Sequence, residues 1–457
     1  MLQELREKHP RFIYESFEAK EQNDKLQVRF QFLLEPNVVF SPEVILPPNQ
    51  SLNKKGLDNF VFHLGLIEMI SYWKATCSPE VLVNAGQLTN QQIAWWHDLF
   101  INGLGEFFYR NKIDPTISGF LHITSNLTKK SYQPLQKPIP SSGDLILFSG
   151  GKDSTVALEI LKDFPHRKKC LVLNPTRSSL RGIKIAEYQK PFIVKRVIDK
   201  NLLKLNQAGY LNGHTPFSAY LAFLGIFMGV LHNYENVIAS NDQGADEENI
   251  IFHGMKINHQ YSRSFQFEKL FREYCTKYLT KQIKYFSFLR PLYELQVSHL
   301  FANYPEHHLS FRSCNVGQKE DSWCGACAKC AFVYASLFPY LSFERMIEIF
   351  GKDYYQEPSI EPFIRQLVGL GQYKPFECVG LVEESILAIG LAIQKYRSAE
   401  KKVPPLLLSL EKELKIDQPE IIHILKERIE NGWNQKNFLP PEYTKLLKKA
   451  SSRIQKK

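Results

Sequence analysis

Apolar and polar positions follow three patterns along the chain, and the first occupies residues 1–140. Apolar and polar residues alternate over residues 28–34, which predicts a half-buried strand. Residues 60–73 and 91–108 instead carry apolar residues at helical spacing. We interpret this part of the chain as an N-terminal α+β domain that could recognise a substrate. Residues 129–143, rich in proline and serine, predict the linker that follows it.

The second pattern, over residues 141–340, alternates short apolar runs with helical spacing. Residues 154–164 and 216–231 predict helices. The runs that predict buried strands are residues 145–148, 170–173, 192–197, 237–240 and 285–289. Because strands that alternate with helices form βαβ units, this part predicts an α/β domain with a parallel sheet.

Beyond about residue 341 the third pattern is helical. Residues 419–431 and 441–457 are amphipathic and each begins at a proline, a residue that suits the first turn of a helix. Residues 341–457 therefore predict a C-terminal helical domain.

Composition narrows the class of protein. Of 457 residues, 44% are apolar and 23% are charged, as in ordinary soluble globular proteins. The first twenty residues lack the apolar core of a secretory signal. The most apolar run, residues 216–231, is shorter than the ~20 residues that span a bilayer. We therefore expect a cytoplasmic protein without membrane contact.

The net charge of +10 bears on the partner. Part of it lies in a basic tail, which we interpret as a solvated helix end, with a nucleic-acid or membrane-surface contact as the alternative. The tail residues are Lys445, Lys448, Lys449, Arg453, Lys456 and Lys457. A polyanionic small substrate, such as a nucleotide sugar, would also suit a positive surface, and we do not expect a nucleic-acid partner.

A glycine turn between the first strand and the first helix of the second pattern carries candidate chemistry. It reads Ser149-Gly150-Gly151-Lys152-Asp153-Ser154. Glycines let backbone N–H groups approach a phosphate, and the helix N-terminus adds the positive end of its dipole. Ser149 and Ser154 can donate hydrogen bonds to phosphate oxygens, and Lys152 adds charge. Asp153 would repel phosphate, so we expect it to help hold Mg²⁺.

This turn is not a Walker A loop, because Ile146 and Asp153 occupy positions where that pattern needs glycine and Ser or Thr. It resembles the Ser-Gly-Gly-x-Asp-Ser signature of PP-loop pyrophosphatases, which cleave ATP to AMP and pyrophosphate. The resemblance implies an adenine nucleotide α-hydrolase-like fold for residues 141–340. A turn without a ligand is the alternative. We expect Lys152 and Asp153 at the exposed end of the sheet.

Cysteine spacing predicts a metal site. Four of the eight cysteines fall within seventeen residues: Cys314, Cys324, Cys327 and Cys330. In a cytosolic chain such clustering favours metal over disulfides, and four thiolates without an open position describe a structural zinc knuckle. An iron–sulfur cluster and free thiols are the alternatives. The scattered cysteines, predicted to be buried and inert, are Cys77, Cys170, Cys275 and Cys378.

Further polar residues follow strands at the sheet edge where α/β proteins bind ligands. In the loop after residue 240, the candidates for substrate or Mg²⁺ contact are Asn241, Asp242, Glu247 and Asn249, with a solvated acidic loop as the alternative. Further candidates for substrate contact are Asn258, His259, Tyr261 and Arg263 in residues 258–264, and Arg290 at the end of the last strand. His214 is a candidate of the same kind. For each of these, a structural side chain is the alternative, and for Arg290 it is a buried ion pair.

Four stretches resemble the UDP-N-acetylmuramoyl-L-alanyl-L-glutamate epimerase family of peptidoglycan synthesis. They are residues 62–74, 103–109, 212–216 and 258–264, the last followed by Phe267-Glu268. With the phosphate loop and residues 323–332, the resemblance covers about residues 60–340. The loop Asn241-Asp242-Gln243-Gly244 departs from the family's Asn-Glu-Arg-Ser, which bears on the exact substrate if that arginine contacts it.

The resemblance implies an ATP-dependent epimerase that inverts the terminal L-Glu of UDP-MurNAc-L-Ala-L-Glu through a carboxyl-adenylate. It implies ATP and Mg²⁺ as well as zinc, and catalytic roles for Lys152 and Asp153. His214, His259 and Tyr261 are the candidates for proton transfer. The alternatives are a 7-cyano-7-deazaguanine synthase-like or tRNA-modifying PP-loop enzyme, and a non-catalytic nucleotide-binding scaffold.

Overall fold

The computed structural model describes residues 1–47, 56–136 and 142–453. Residues 137–141 of the predicted linker, with the boundary at residue 140, lie outside the described residues. The last four residues of the predicted helix 441–457 also lie outside them.

Within the described residues, eleven strands form one sheet and two form a separate hairpin. The sheet strands are β1 (Arg11–Gln22), β2 (Lys25–Leu34), β3 (Val38–Phe40), β4 (Glu43–Leu46), β5 (Glu80–Val83), β6 (His122–Ser125), β7 (Asp144–Leu147), β8 (Lys168–Leu173), β9 (Phe192–Val197), β10 (Asn236–Ala239) and β13 (Lys284–Ser287). The hairpin strands are β11 (Ile250–Phe252) and β12 (Met255–Ile257).

The parallel half of the sheet has the order β13-β10-β7-β8-β9, and all its pairs are parallel. These are the five strands that the apolar runs predicted, so the prediction of a parallel α/β sheet is confirmed. Numbered along the chain, the order is 3-2-1-4-5 from β9 to β13. The chain therefore leaves β7 towards one edge and later returns to its other side at β10, as in doubly wound folds.

The N-terminal strands continue the same sheet. β9 pairs antiparallel with β4, and the order runs on as β4-β2-β1-β5-β6, with β3 beside β2. Along β2, buried and exposed side chains alternate, as the sequence predicted, because one face of this half packs on the core. The sheet thus joins the predicted N-terminal and central domains, and their status as separate domains stays a prediction.

The described helices begin and end as follows: α1 (Leu2–Lys8), α2 (Asp58–Trp73), α3 (Asn90–Gly103), α4 (Gly105–Arg110), α5 (Lys152–Lys162), α6 (Arg177–Ile185), α7 (Lys200–Gln207), α8 (Phe217–His232), α9 (Phe265–Tyr278), α10 (Glu294–Ala302), α11 (Ala328–Leu337), α12 (Phe343–Phe350), α13 (Glu361–Leu367), α14 (Val382–Ser398), α15 (Pro405–Glu413), α16 (Pro419–Glu430) and α17 (Pro441–Ser451). The helix predicted over residues 91–108 is two helices, because the backbone leaves helical geometry at Leu104.

Two helices that are apolar on all sides fill the interior. α8 packs against α2, and both bury most of their residues, as expected of helices without a polar face. From α12 onward the described residues contain helices and no strand, in agreement with the predicted helical C-terminus. In the described part of the chain, no helix combines the length and the apolar content that crossing a membrane requires.

Candidate active site

A cavity of about 480 Å³ opens at the carboxyl ends of the parallel strands. Residues 147–149 line it where β7 ends, residues 171–174 where β8 ends and residues 239–241 where β10 ends. Since the chain leaves β7 in one direction and returns at β10 from the other, the cavity lies at the switch point of the sheet. Doubly wound sheets bind their ligands in this crevice.

The predicted phosphate loop forms one side of the cavity. Gly150 has a φ of +83°, and a Cβ there would lie 2.5 Å from the backbone nitrogen of Ser179, so this position requires glycine. The N-cap residue of α5 is Gly151, and the backbone N–H of Lys152, the first residue of the helix, donates to Ser313 Oγ at 3.3 Å. The hydroxyls of Ser149 and Ser154, 3.5 Å apart, complete a surface suited to an anion.

The sequence suggested that Lys152 is exposed, but in the structure its side chain is buried. Its side chain is 1% exposed, and its Nζ lies 2.8 Å from Asp153 Oδ1 and 2.9 Å from Glu294 Oε1. Asp153 is itself only 18% exposed but lines the cavity. The expected exposed position is therefore wrong for Lys152, because Asp153 and Glu294, the first residue of α10, both pair with its buried Nζ, whereas Asp153 does lie at the cavity.

A third carboxylate completes this cluster. Asp153, Asp242 and Glu294 each offer an oxygen within 4.8 Å of the others. Burial, and then the charge of Asp153, raise the pKa of Glu294 well above its usual range. Glu294 Oε2 is buried and has no hydrogen-bond partner among the described residues. Clustered carboxylate oxygens with an unused acceptor fit a hard cation such as Mg²⁺.

Arg263 is one of three cationic side chains that line the cavity, with Arg312 and Lys329. Its Nη2 lies 3.6 Å from Asp242 Oδ2 and 3.8 Å from Asp153 Oδ2. Its Nε donates to Asn241 Oδ1 at 3.0 Å, and both Arg263 and Asn241 line the cavity. The sequence predicted both as substrate contacts, and the structure places them together at the end of β10.

Other predicted contacts lie in the wall behind the cavity. Glu247 pairs with Lys374 at 2.6 Å, and Asn249 donates to the carbonyl of the same Lys374 at 3.2 Å. Asn258 donates to the carbonyl of Ala245 at 2.9 Å. These side chains hold loops in place and are not among the residues that line the cavity.

Arg290 also belongs to the wall instead of meeting a phosphate or carboxylate of a ligand. It is fully buried, donates to the Asp242 carbonyl at 2.5 Å and to the Arg263 carbonyl, and lies 3.5 Å from Glu268. Arg290 therefore forms the buried ion pair that the sequence indicated as its alternative role. Its contacts fix the backbone of Asp242, which belongs to the carboxylate cluster, and of Arg263, which lies beside that cluster.

The candidates for proton transfer separate into two groups. The rings of His214 and His259 are 4.3 Å apart, and Glu106 Oε2 lies 3.6 Å from His214 Nδ1 and 2.6 Å from His259 Nδ1. Burial, and then the charge of His259, lower the pKa of His214 to about 3. Tyr261 lies apart from this pair, because its hydroxyl donates to Asp98 in a buried position.

Cys378 was predicted to be an inert buried thiol, and the structure corrects this. It lies between α13 and α14, is only half-buried, and lines the cavity. Its Sγ is 3.9 Å from His259 Nε2. The other scattered thiols, Cys77, Cys170 and Cys275, are buried as expected. Sequence reasoning therefore missed Cys378 and Glu294, which carry no local pattern that marks them. It also missed Glu106, which lies in the family-like stretch 103–109 but was not singled out.

The four clustered cysteines converge as predicted. Their sulfur atoms lie within 4.8 Å of one another. The backbone N–H of Gly317 donates to Cys314 Sγ at 3.2 Å, and that of Cys330 to Cys327 Sγ at 3.4 Å. Gly325, with a φ of +62°, makes the turn between them. Such N–H···S contacts suit thiolates that ligate a metal.

The fold and the site define an α/β protein with a cavity, lined by apolar and charged side chains, at the switch point of a doubly wound sheet. Comparison with protein families assigns it further. The family model described as MurL N-terminal domain matches residues 3–288, and the one described as MurL C-terminal domain matches residues 310–418. The chain therefore belongs to the MurL family, and the resemblance found in the sequence is confirmed.

Three relatives carry the name UDP-N-acetyl-alpha-D-muramoyl-L-alanyl-L-glutamate epimerase. One from Salinispora tropica is 33% identical over 332 residues, which is 72% of each chain. One from a Micromonospora species is 33% identical over 337 residues, 73% of this chain and 74% of the relative. One from Xanthomonas oryzae pv. oryzae is 29% identical over 356 residues, 74% of this chain and 76% of the relative. No solved structure matches the chain.

Proposed function

We propose that this protein is an ATP-dependent epimerase of peptidoglycan precursor synthesis. It inverts the terminal L-Glu of UDP-MurNAc-L-Ala-L-Glu to D-Glu and releases AMP and pyrophosphate. The observation that carries the proposal is the cavity at the switch point, lined by the Ser149–Ser154 loop, in a chain of the MurL family. A nucleotide-sugar substrate suits the net positive charge, and we expect a cytoplasmic enzyme.

Adenylation explains why an epimerase would need ATP. The α-hydrogen of a glutamyl residue is hardly acidic, because the carbanion would form beside a carboxylate that already carries a full negative charge. Attack of that carboxylate on the α-phosphorus of ATP makes an acyl-adenylate and expels pyrophosphate. The acyl group can then accept charge as an enolate. Proton removal on one face, return on the other and hydrolysis of the adenylate give the inverted acid.

The loop and α5 would hold the phosphates. Ser149, Gly151 and Ser154 line one side of the cavity, where the hydroxyls of the two serines and the N-terminus of α5 would meet phosphate oxygens. Arg263 adds a cation on the β10 side. Together these groups favour charge that develops on phosphate oxygens during displacement.

Asp153, Asp242 and Glu294 are the residues that would hold Mg²⁺. When bound, Mg²⁺ would neutralise phosphate charge and help align the nucleotide for displacement. Lys152, paired with Asp153 and Glu294, keeps the carboxylates from repelling one another and fixes their positions.

The cysteine cluster would hold zinc in a structural role. Cys314, Cys324, Cys327 and Cys330 supply four sulfur ligands and leave no position for a substrate. Lys329, between two of these cysteines, lines the cavity, so the metal would fix part of the cavity wall.

The test is incubation with UDP-MurNAc-L-Ala-L-Glu, ATP and Mg²⁺ in D₂O. We expect AMP and pyrophosphate, and deuterium at the glutamyl α-carbon of a D-configured product, only when ATP is present. L-Ala-L-Glu without the UDP-MurNAc portion should react poorly, since remote binding energy positions the glutamyl group. Formation of ADP, or AMP formation while the glutamate stays L and free of deuterium, would contradict the proposal.

A further inference from the structure

A thiol, an imidazole and a carboxylate from three distant parts of the chain lie in line beside the cavity. Cys378 Sγ is 3.9 Å from His259 Nε2, and the other ring nitrogen, Nδ1, is 2.6 Å from Glu106 Oε2. Glu106 therefore fixes which nitrogen of His259 faces the sulfur. Only Cys378 of these three lines the cavity, together with Ser149, Asp153 and Ser154 of the phosphate loop, while His259 and Glu106 stand behind it.

The backbone of Cys378 is held on both sides. Lys329 donates from its Nζ to the carbonyl of Cys378, and Gln260 donates to the carbonyl of the next residue, Val379, at 3.0 Å. Gln260 is the neighbour of His259 in the chain, so the loop that carries the imidazole also positions the thiol. This arrangement fixes the sulfur instead of leaving it on a mobile segment.

The charges around the sulfur favour a thiolate. Arg263 and His259, both from residues 258–264, and Lys329 from α11 face the sulfur, while Glu377 is its acidic neighbour and has a pKa that burial raises. Burial raises the pKa of Cys378, but Arg263 and then His259 outweigh it and bring that pKa down to about 6.

The pKa of His259 shifts upward, opposite to the pKa of Cys378. Burial lowers its pKa, but contacts with Cys378 and Glu106 outweigh burial and raise it to about 10. Next to it, His214 stays neutral. A thiolate beside an imidazolium is the activated form of a cysteine.

We propose that Cys378 is the base that removes the glutamyl α-proton, with His259 and Glu106 as positioning residues. The inference rests on the proposed function. In this step the Cα–H bond breaks and an S–H bond forms, while the electron pair moves into the acyl group as an enolate. A proton delivered to the opposite face by another acid completes the inversion, and the thiol later returns its proton to solvent.

The experiment compares wild-type protein with Cys378→Ser in D₂O, starting from the L-Glu or from the D-Glu substrate. Deuterium gained per AMP formed separates proton transfer from adenylation. With the L substrate this ratio should fall at least about 100-fold in the variant, because a serine hydroxyl is a far weaker base. With the D substrate, deprotonated from the other face, the ratio should fall much less. Cys275→Ala, a buried thiol outside the cavity, should keep both ratios.

A ratio within threefold of wild type, or equal losses from both substrates, would overturn the role of Cys378. If the wild-type protein itself forms no AMP, the proposed function fails, which is a different result. If the Cys378→Ser variant does not fold, alkylation of the wild-type protein with iodoacetamide tests the role of Cys378 instead. Alkylation at Cys378 should lose rate as pH falls through about 6 and should abolish exchange. His259→Gln should move that profile to higher pH, and alkylated protein that still exchanges would refute the inference.

Discussion

At the scale of single residues, Lys152 differs most from its interpretation in the sequence. It holds Asp153 and Glu294 together in a buried position, so Lys152→Ala should lower stability as well as stop AMP formation. Removing one partner of a buried ion pair leaves charge uncompensated, and the expected loss is about 3–5 kcal/mol in the free energy of unfolding. Urea unfolding followed by circular dichroism measures it.

Lys162→Ala is the matched control for that variant. Lys162 lies on the same helix α5 but pairs with Glu187 at the surface, where solvent screens the pair and its removal should change stability little. AMP formation should be unchanged in it. A Lys152→Ala protein as stable as the Lys162→Ala protein would show that the buried pair is not needed for folding.

The residues of the site were predictable to different degrees. The phosphate loop and the four clustered cysteines are contiguous or nearly so, and their spacing alone points to chemistry. Arg263 and Asn241 were predicted as substrate contacts because both follow strands in the sequence. Cys378 meets His259 across 119 positions and His259 meets Glu106 across 153, and no local pattern encodes such a meeting.

At the scale of elements, helix α11 connects the cysteine cluster to the cavity. Cys327 precedes its first residue and accepts from the N–H of Cys330, while Lys329 in its first turn holds the carbonyl of Cys378. We expect one zinc per chain, and Cys324→Ser should lose it and destabilise the protein strongly, since structural zinc supplies roughly 10 kcal/mol or more. Elemental analysis and thermal unfolding measure both effects.

Cys275→Ala serves as the control for zinc, because this thiol lies on α9 outside the cluster and should leave the zinc content at one. Protein without zinc, or protein with iron and visible absorbance, would contradict the assignment.

The elements themselves were largely predictable because their patterns are local. The five parallel strands and α8 follow from apolar runs of the right length. The break at Leu104 was not predictable, since apolar spacing continues through it. The pairing of β4 with β9 was also missed, because strand partners depend on the whole sheet instead of on either strand.

At the scale of the whole molecule, the candidate site draws residues from all three parts of the chain. Glu106 comes from the N-terminal part, the phosphate loop from the parallel sheet and Cys378 from the helical part. The sheet joins the first two, and α17 of the last part packs against α5, the helix that follows the phosphate loop. α17 reaches back to the start of β7, where Asp144 is fully buried and accepts from Tyr443 Oη at 2.5 Å and from Asn236 Nδ2 at 2.9 Å.

This contact predicts how firmly the C-terminal helix is attached. Tyr443→Phe keeps the ring but removes one donor from a buried carboxylate, which should cost about 1.5–3 kcal/mol in the free energy of unfolding. Tyr340→Phe is the matched control: its hydroxyl is buried without a hydrogen-bond partner among the described residues, so its removal should be neutral or stabilising. Urea unfolding of both variants measures the difference. Equal stabilities would mean that Asp144 gains nothing from α17 and that the C-terminal helix is held by apolar packing alone.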